Sequence, residues 1–220
     1  MICNKPQSSG EDQPVIILGG GGHAKVLIAT LLMLGRSIIG FVDPAASKKS
    51  IFGVKCLGDD SVVLHHKARN IRLVNGVGSI GSNSSRCDLF NRFKEHGFSF
   101  GTVVHPTAII ALDVRLGEGA QIMAGVVIQP GGRVGANAIV NTGAVIDHDC
   151  NVGAHVHIAP GAALSGNVRI AIGAHIGTGA TIIQSTRIGA WSLVGAGAVV
   201  IRNVPARAAF VGVPAKPLTK

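Results

Sequence analysis

Tyrosine is absent from this 220-residue chain, tryptophan occurs once and phenylalanine seven times. Proteins that grip single-stranded nucleic acid stack bases on aromatic rings, and that signature is missing. Acidic residues are also scarce, 11 against 20 basic, for a net charge of +9. The basic residues are dispersed: +5 over residues 1–103 (12 basic, 7 acidic) and +4 over the remainder (8 basic, 4 acidic). Nucleic-acid binders cluster theirs on one face or tail, whereas a mild positive field suits small anionic substrates such as nucleotide sugars or coenzyme A. Mean hydropathy is +0.43, yet the longest apolar stretch, Val26 to Leu34, falls well short of the ~20 residues of a spanning helix. Membrane insertion is therefore not expected. Cys3, Cys56, Cys87 and Cys150 show no CxxC spacing, so neither a disulfide framework nor a zinc site is supported. Residues 1–13 are polar and lack the apolar stretch of a signal peptide; they read as a loose tail on a cytoplasmic protein.

What the chain does have is a strict period. From Val104 to Val200 an aliphatic residue recurs every sixth position, seventeen times, through Ile110, Leu116, Ile122 and Ile128 to Val194. Four residues after each comes a mostly small partner, such as Ala108, Ala120, Ala144 or Cys150. The partner lies two places before the next aliphatic residue, so both point to one side of a short strand. The residues between are rich in Gly, Asn, Asp and Ala, which tolerate the geometry of a corner. A helix repeats every 3.6 residues and a sandwich turns every 8 to 12, so a fixed six describes a solenoid. Three units close a triangular coil, and each strand pairs with the one eighteen residues on. The narrow interior accounts for the shortage of aromatics.

Ahead of the repeat, residues 14–103 read as a small α/β unit. Val15-Ile16-Ile17-Leu18 is a buried strand, Gly19-Gly20-Gly21-Gly22-His23-Ala24 a glycine loop, and the segment through Leu34 a helix. Glycines let backbone approach an anion, and a helix N-terminus supplies oriented N–H groups. Ile38 to Val42 is a second strand ending in Asp43, placed to accept hydrogen bonds from a ribose or base. Ile71 to Gly78 is a third strand with another glycine turn, and Ser85 to His96 a second helix. G-x-G-x-x-A also occurs in dinucleotide sites, but three strands make one mononucleotide-sized site and the fingerprint alone is weak. A structural turn is the remaining reading of these glycines. Few residues separate this unit from the repeat, so the two are expected to pack as a fixed pair.

Asp147-His148-Asp149 falls in one corner of the repeat. Carboxylates beside a histidine set its tautomer and charge, as a general base near neutral pH requires. Pro130 and Gly166 are its neighbours one coil away. His157 precedes the inward Ile158 and should point outward; His155 and His175 also read as surface histidines. No Ser or Cys nucleophile with an adjacent base is apparent, which favours direct transfer over a covalent intermediate.

The hexapeptide column, Asn141 through Cys150, His155-Val156-His157-Ile158-Ala159-Pro160-Gly161 and the ending Val211-Gly212-Val213-Pro214-Ala215-Lys216 closely resemble bacterial sugar acetyltransferases of the NeuD/PglD type. So do Gly19 to Ala24, Phe41-Val42-Asp43 and Leu57-Gly58-Asp59-Asp60. The resemblance implies a Rossmann-like domain over 14–103 and a left-handed parallel β-helix over 104–220. It further implies a homotrimer with active sites between neighbouring β-helices, acetyl-CoA as donor and no metal. By the same resemblance His148 is the general base and Asp149 orients it. His157, Gly166, Thr178 and Ala196 would contact the coenzyme, with the Gly166 N–H holding the thioester oxygen. Gly20, Gly21, Gly22, Asp43 and Gly78 would hold the nucleotide of the sugar. The implied activity is N-acetylation of a nucleotide-linked 4-amino-4,6-dideoxy sugar, UDP-linked by preference, in glycan biosynthesis. O-acetylation of a sialic-acid-like sugar and a non-catalytic scaffold are the rival readings. Val77-Gly78-Ser79-Ile80-Gly81-Ser82 departs from the Gly-Asn-Asn of several relatives, which bears on the acceptor.

Overall fold

The structure, a computed structural model, describes residues 13–45, 49–79 and 83–218. The expected tail therefore lies outside the described residues except for Gln13, which donates to the Arg69 carbonyl and accepts from Arg72. Ile80 to Ser82 also lie outside them.

Strands β1 (Val15–Leu18), β2 (Ile38–Val42) and, after a short hairpin of β3 (Ser50–Ile51) and β4 (Val54–Lys55), β5 (Arg72–Asn75) give a parallel sheet in the order β2-β1-β5. All four residues of β1 are buried, as a central parallel strand covered on both faces requires. Helix α1 (Gly22–Met33) follows β1 and stops where Gly35 takes φ +65° and Arg36 N–H returns to the Leu31 carbonyl; only glycine adopts that cap without strain. Helix α2 (Ser84–Glu95) follows β5.

From Val103 onward the chain winds as a parallel β-solenoid. Every hexad contributes a two-residue strand, and strands eighteen residues apart pair in register: Val127 with Val145, Ile128 with Ile146. The aliphatic residues and their small partners, Cys150 included, form one continuous buried column. At most corners the third residue has φ near +60°, filled by Gly143 or Gly161 and also by Asn137, Asp149, His155 and Asn167. Its N–H reaches the previous coil, as Asp149 N–H does to the Pro130 carbonyl at 3.0 Å. Each left-handed residue is thus anchored to the coil beneath. The winding runs further than the period shows, because Ala209–Val211 adds a strand beside Leu193–Val194 and Lys216–Pro217 folds back antiparallel on it.

The three outer faces differ in chemistry. One presents Gln121, Ile139, His157 and His175 and is covered by the N-terminal unit. The second presents Ile109, Val127, Val145, Ala163, Thr181 and Val199, an apolar column in which Ile109 and Val145 are exposed. The third presents Arg115, Arg133, Asn151, Arg169 and Arg187, stacked strand upon strand. Those four arginines form no ion pair among the described residues.

The covered face explains two departures from expectation. His155 and His175 are buried, not on the surface, because α2 and the Asn83 that precedes it lie across them. His155 meets Phe90 edge-on, and its Nδ1 accepts from Asn137 Nδ2 at 2.9 Å. Asn83 donates to the Gly173 and Ala174 carbonyls, and Lys94 pairs with Glu118 at 2.8 Å. His157 does point away from the solenoid interior, but it too is buried, beneath Ser79.

Candidate active site

Two clusters of functional residues emerge. The first is the corner between the apolar and arginine faces. Asp147 accepts the His148 backbone N–H at 2.7 Å, and Asp149 Oδ2 lies 2.9 Å from His148 Nδ1. This fixes the proton on Nδ1 and leaves Nε2 as the free acceptor. The Asp149 hydrogen bond and the Asp147 charge both raise the His148 pKa above the ordinary histidine value. Gly166 sits one coil on, and a Cβ there would lie 2.6 Å from His148 Nε2 and Cε1. A side chain there would push the ring from this position. The Gly166 N–H has no hydrogen-bond partner among the described residues, so a donor and a base face the same space.

The second cluster is a cavity of about 680 Å³ where β1 and β5 end, walled by Gly19 to His23, Val26, Asp43, Gly76 to Ser79, Asn141 and His157. Its position between β1 and β5, at the carboxyl ends of strands on opposite sides of the chain reversal, is where open α/β sheets bind ligands. Helix α1 begins here with no side-chain cap and no acid in its first turn, so its N–H groups remain available to an anion. A Cβ on Gly20 would meet Asp43 Oδ2 at 2.6 Å, whereas one on Gly21 or Gly22 would meet nothing within 4 Å. Packing dictates the first glycine. The other two keep the cavity open.

Two imidazoles line the cavity, the half-buried His23 and the buried His157. His23 lies 2.7 Å from Gln121 Oε1, and burial with the nearby Arg86 charge lowers its pKa to about 4. Burial, with His175, His23 and Arg86 nearby, lowers His157 to about 3. Both are neutral at physiological pH. Ser79 Oγ lies 2.5 Å from His157 Nδ1, a serine–histidine contact that a separation of 78 positions hides from the sequence. A base of such low proton affinity is poorly suited to activate a serine.

Residues 14–93 match the PglD N-terminal domain family. Comparison with curated proteins returns no match. Among solved structures, a variant of perosamine N-acetyltransferase from Caulobacter crescentus, in complex with CoA and GDP-perosamine, is 40% identical. The alignment covers 97% of this chain and 100% of that one, with a TM-score of 0.87. The acetyltransferase domain of PglB from Neisseria gonorrhoeae, in complex with acetyl coenzyme A, is 34% identical over 94% of this chain and 100% of that one, TM-score 0.88. WeeI from Acinetobacter baumannii is 26% identical over 94% and 100%, TM-score 0.83.

The chain belongs to the NeuD/PglD-type sugar acetyltransferases. It is an acetyltransferase, and its solenoid is of the left-handed β-helix type. Within one chain of this acetyltransferase, His148, Asp149 and Gly166 share a corner, while Gly20, Gly21, Gly22, Asp43, Gly78 and His157 share the cavity. Exposed Thr178 and Ala196 lie along the other edge of the apolar face, between the covered and apolar sheets. His157 thus stands on the cavity side, apart from Gly166, because its strand belongs to the covered face. Sequence reasoning did not single out His23 or Asn141 as cavity residues, and marked Ser79 only within the Val77 to Ser82 stretch that bears on the acceptor. His23 directly follows the glycines of the loop, which was the available signal; nothing local marks Asn141.

Proposed function

We propose that this protein transfers the acetyl group of acetyl-CoA to the amine of a nucleotide-linked 4-amino-4,6-dideoxy sugar, in the cytoplasmic stage of glycan biosynthesis. The N-terminal unit acts as a Rossmann-like nucleotide-sugar domain over residues 14–103, and the β-helix over 104–220 carries the transfer chemistry. The family resemblance favours a UDP-linked acceptor. The 40% identity to an enzyme seen with GDP-perosamine makes the GDP-linked sugar an equal first candidate.

One observation carries the reading. Asn141, at the cavity edge, and His148 stand in the same coil, at opposite ends of the apolar face. A single chain keeps them apart. In a three-fold ring with apolar faces turned inward, the cavity edge of one chain adjoins the His148 corner of the next at the same height, so a homotrimer completes three sites. Thr178, Ala196 and His157 then face Gly166 of the neighbour across a cleft that accommodates acetyl-CoA.

The mechanism follows from the corner. The acceptor amine attacks the thioester carbonyl while His148 Nε2 takes its proton, and Asp149 supports the imidazolium through Nδ1. The Gly166 N–H donates to the developing oxyanion. Collapse of the tetrahedral intermediate forms the amide, breaks the carbon–sulfur bond and returns the proton to the departing thiolate. These residues need no metal ion for the step.

The test is a thiol-release assay with acetyl-CoA against GDP-, UDP- and dTDP-linked 4-amino sugars and sialic acid. An amide product is expected. An alkali-labile ester as the only product would overturn the amine acceptor, and tight NAD binding at the glycine loop would overturn the nucleotide-sugar assignment.

A further inference from the structure

Arg86, on the first turn of α2, is the largest fully buried side chain described, and no carboxylate pairs with it among the described residues. Its Nη1 donates to the carbonyls of Asn75 at 2.7 Å and Val77 at 2.8 Å, and its Nε to Asn137 of the solenoid at 3.2 Å. Nη2 is buried without a partner. Burial pushes its pKa down to about 9, which leaves it charged at neutral pH. An uncompensated buried cation is strongly unfavourable. An apolar side chain of the same volume would fill this space and tie no carbonyls, so packing alone does not account for a guanidinium.

One of the carbonyls it holds, that of Val77, belongs to the turn that walls the cavity, and that of Asn75 closes the strand leading into it. The Val77–Gly78 peptide is trans, and a planar trans peptide directs its C=O and N–H to opposite sides. With the Val77 carbonyl drawn inward to Arg86, the Gly78 N–H is directed away from the core at the rim of the cavity that Gly78 lines. That N–H has no partner among the described residues. Nothing among the described residues supplies the anion that both the guanidinium and the amide call for.

The geometry points to Arg86 as a positioning residue for a nucleoside diphosphate: it locks the Gly78 N–H toward the ligand's phosphates and places an unneutralised positive charge behind them. This rests on the assignment of the cavity to the nucleotide sugar. The ligand's negative charge offsets the buried cation at the moment of binding, and a nucleoside without phosphates gains nothing from it.

The test compares calorimetric affinities for GDP and UDP with those for guanosine and uridine, in the wild-type protein and in Arg86→Gln and Arg86→Lys. The wild type binds a diphosphate more tightly than its nucleoside. Arg86→Gln loses about 10- to 100-fold of that advantage, the usual worth of hydrogen bonds to a charged group, with nucleoside affinity and the KM for acetyl-CoA unchanged. Arg86→Lys keeps part of it, since it retains charge but not the fork that spans two carbonyls. A folded Arg86→Gln protein with the full advantage overturns the inference. Should neither variant fold, the amide proton of Gly78 in glycine-labelled wild type decides: a shift with the diphosphate and none with the nucleoside supports the role, and an unresponsive Gly78 overturns it. A wild type that binds no nucleoside diphosphate overturns both this role and the nucleotide-sugar assignment.

Discussion

In the proposed mechanism His148 acts from an exposed corner with two acids beside it, and the pH dependence of the reaction should carry their signature. Both raise its pKa, and only the neutral imidazole accepts a proton, so kcat/KM should fall as pH drops through this elevated value. Asp147→Asn withdraws one of the two charges and should move the acid limb to lower pH, leaving the plateau intact; a pH–rate profile of each protein checks this. His148→Ala should lower kcat by roughly 10²-fold or more, the range for loss of a general base, while acetyl-CoA binding is kept. Asp149→Asn should cost less, because the imidazole remains in place. At the cavity, Gly21→Val projects into space that meets no protein atom within 4 Å. Its melting temperature should match the wild type while nucleotide-sugar affinity falls, as calorimetry and thermal denaturation together would show.

At the scale of elements, the solenoid was legible because its interior is too narrow for anything but aliphatic and small side chains, which imprints the six-residue period on the sequence. Strands β1 and β2 were legible as short apolar runs bounded by glycine and Asp43. The covering of one face was not, since it depends on where α2 comes to lie. His155 and His175 occupy the same outward positions as exposed residues of the other faces. The signal lay in every eighteenth residue: Gln121, Ile139, His157, His175 and Leu193 carry no fixed charge, whereas Arg115, Arg133, Arg169 and Arg187 all do. Contacts such as Ser79 with His157 arise only when two elements dock. That seam is acid-sensitive. His23 falls from 6.5 to about 4 and His157 from 6.5 to about 3 on folding, so below pH 6.5 the unfolded chain binds more protons than the folded one. Stability is then fully kept above 6.5 and declines as pH falls toward about 4, by roughly 1.4 kcal/mol per pH unit for each group. Denaturation midpoints between pH 7 and 4.5 should trace this, and His23→Gln should flatten the slope.

The proposed homotrimer offers a test that a single chain does not. If each site takes its base from one chain and its cavity from the next, chains carrying His148→Ala and chains carrying Gly21→Val are both nearly inactive alone, yet together rebuild intact sites. Mixing the two after dissociation and reassembly should restore activity toward that of a minority of wild-type sites, and recovery no greater than the sum of the separate proteins would refute the shared site. Val145→Arg, in the middle of the apolar face, should dissociate the ring as measured by sedimentation and abolish turnover without unfolding the chain.

The arginine face makes the fold responsive to its ionic surroundings. Arg115 stands directly opposite Arg133, and Arg169 opposite Arg187, at the roughly 4.8 Å spacing of neighbouring strands. Like charges in register repel. The Debye length is about 10 Å at 0.1 M salt and about 3 Å at 1 M, so only concentrated electrolyte shields neighbours this close. The protein should therefore grow more resistant to heat as sodium chloride rises from 0.1 M to 1 M, the reverse of a fold held by surface ion pairs, and replacing Arg169 with glutamine should remove part of that gain.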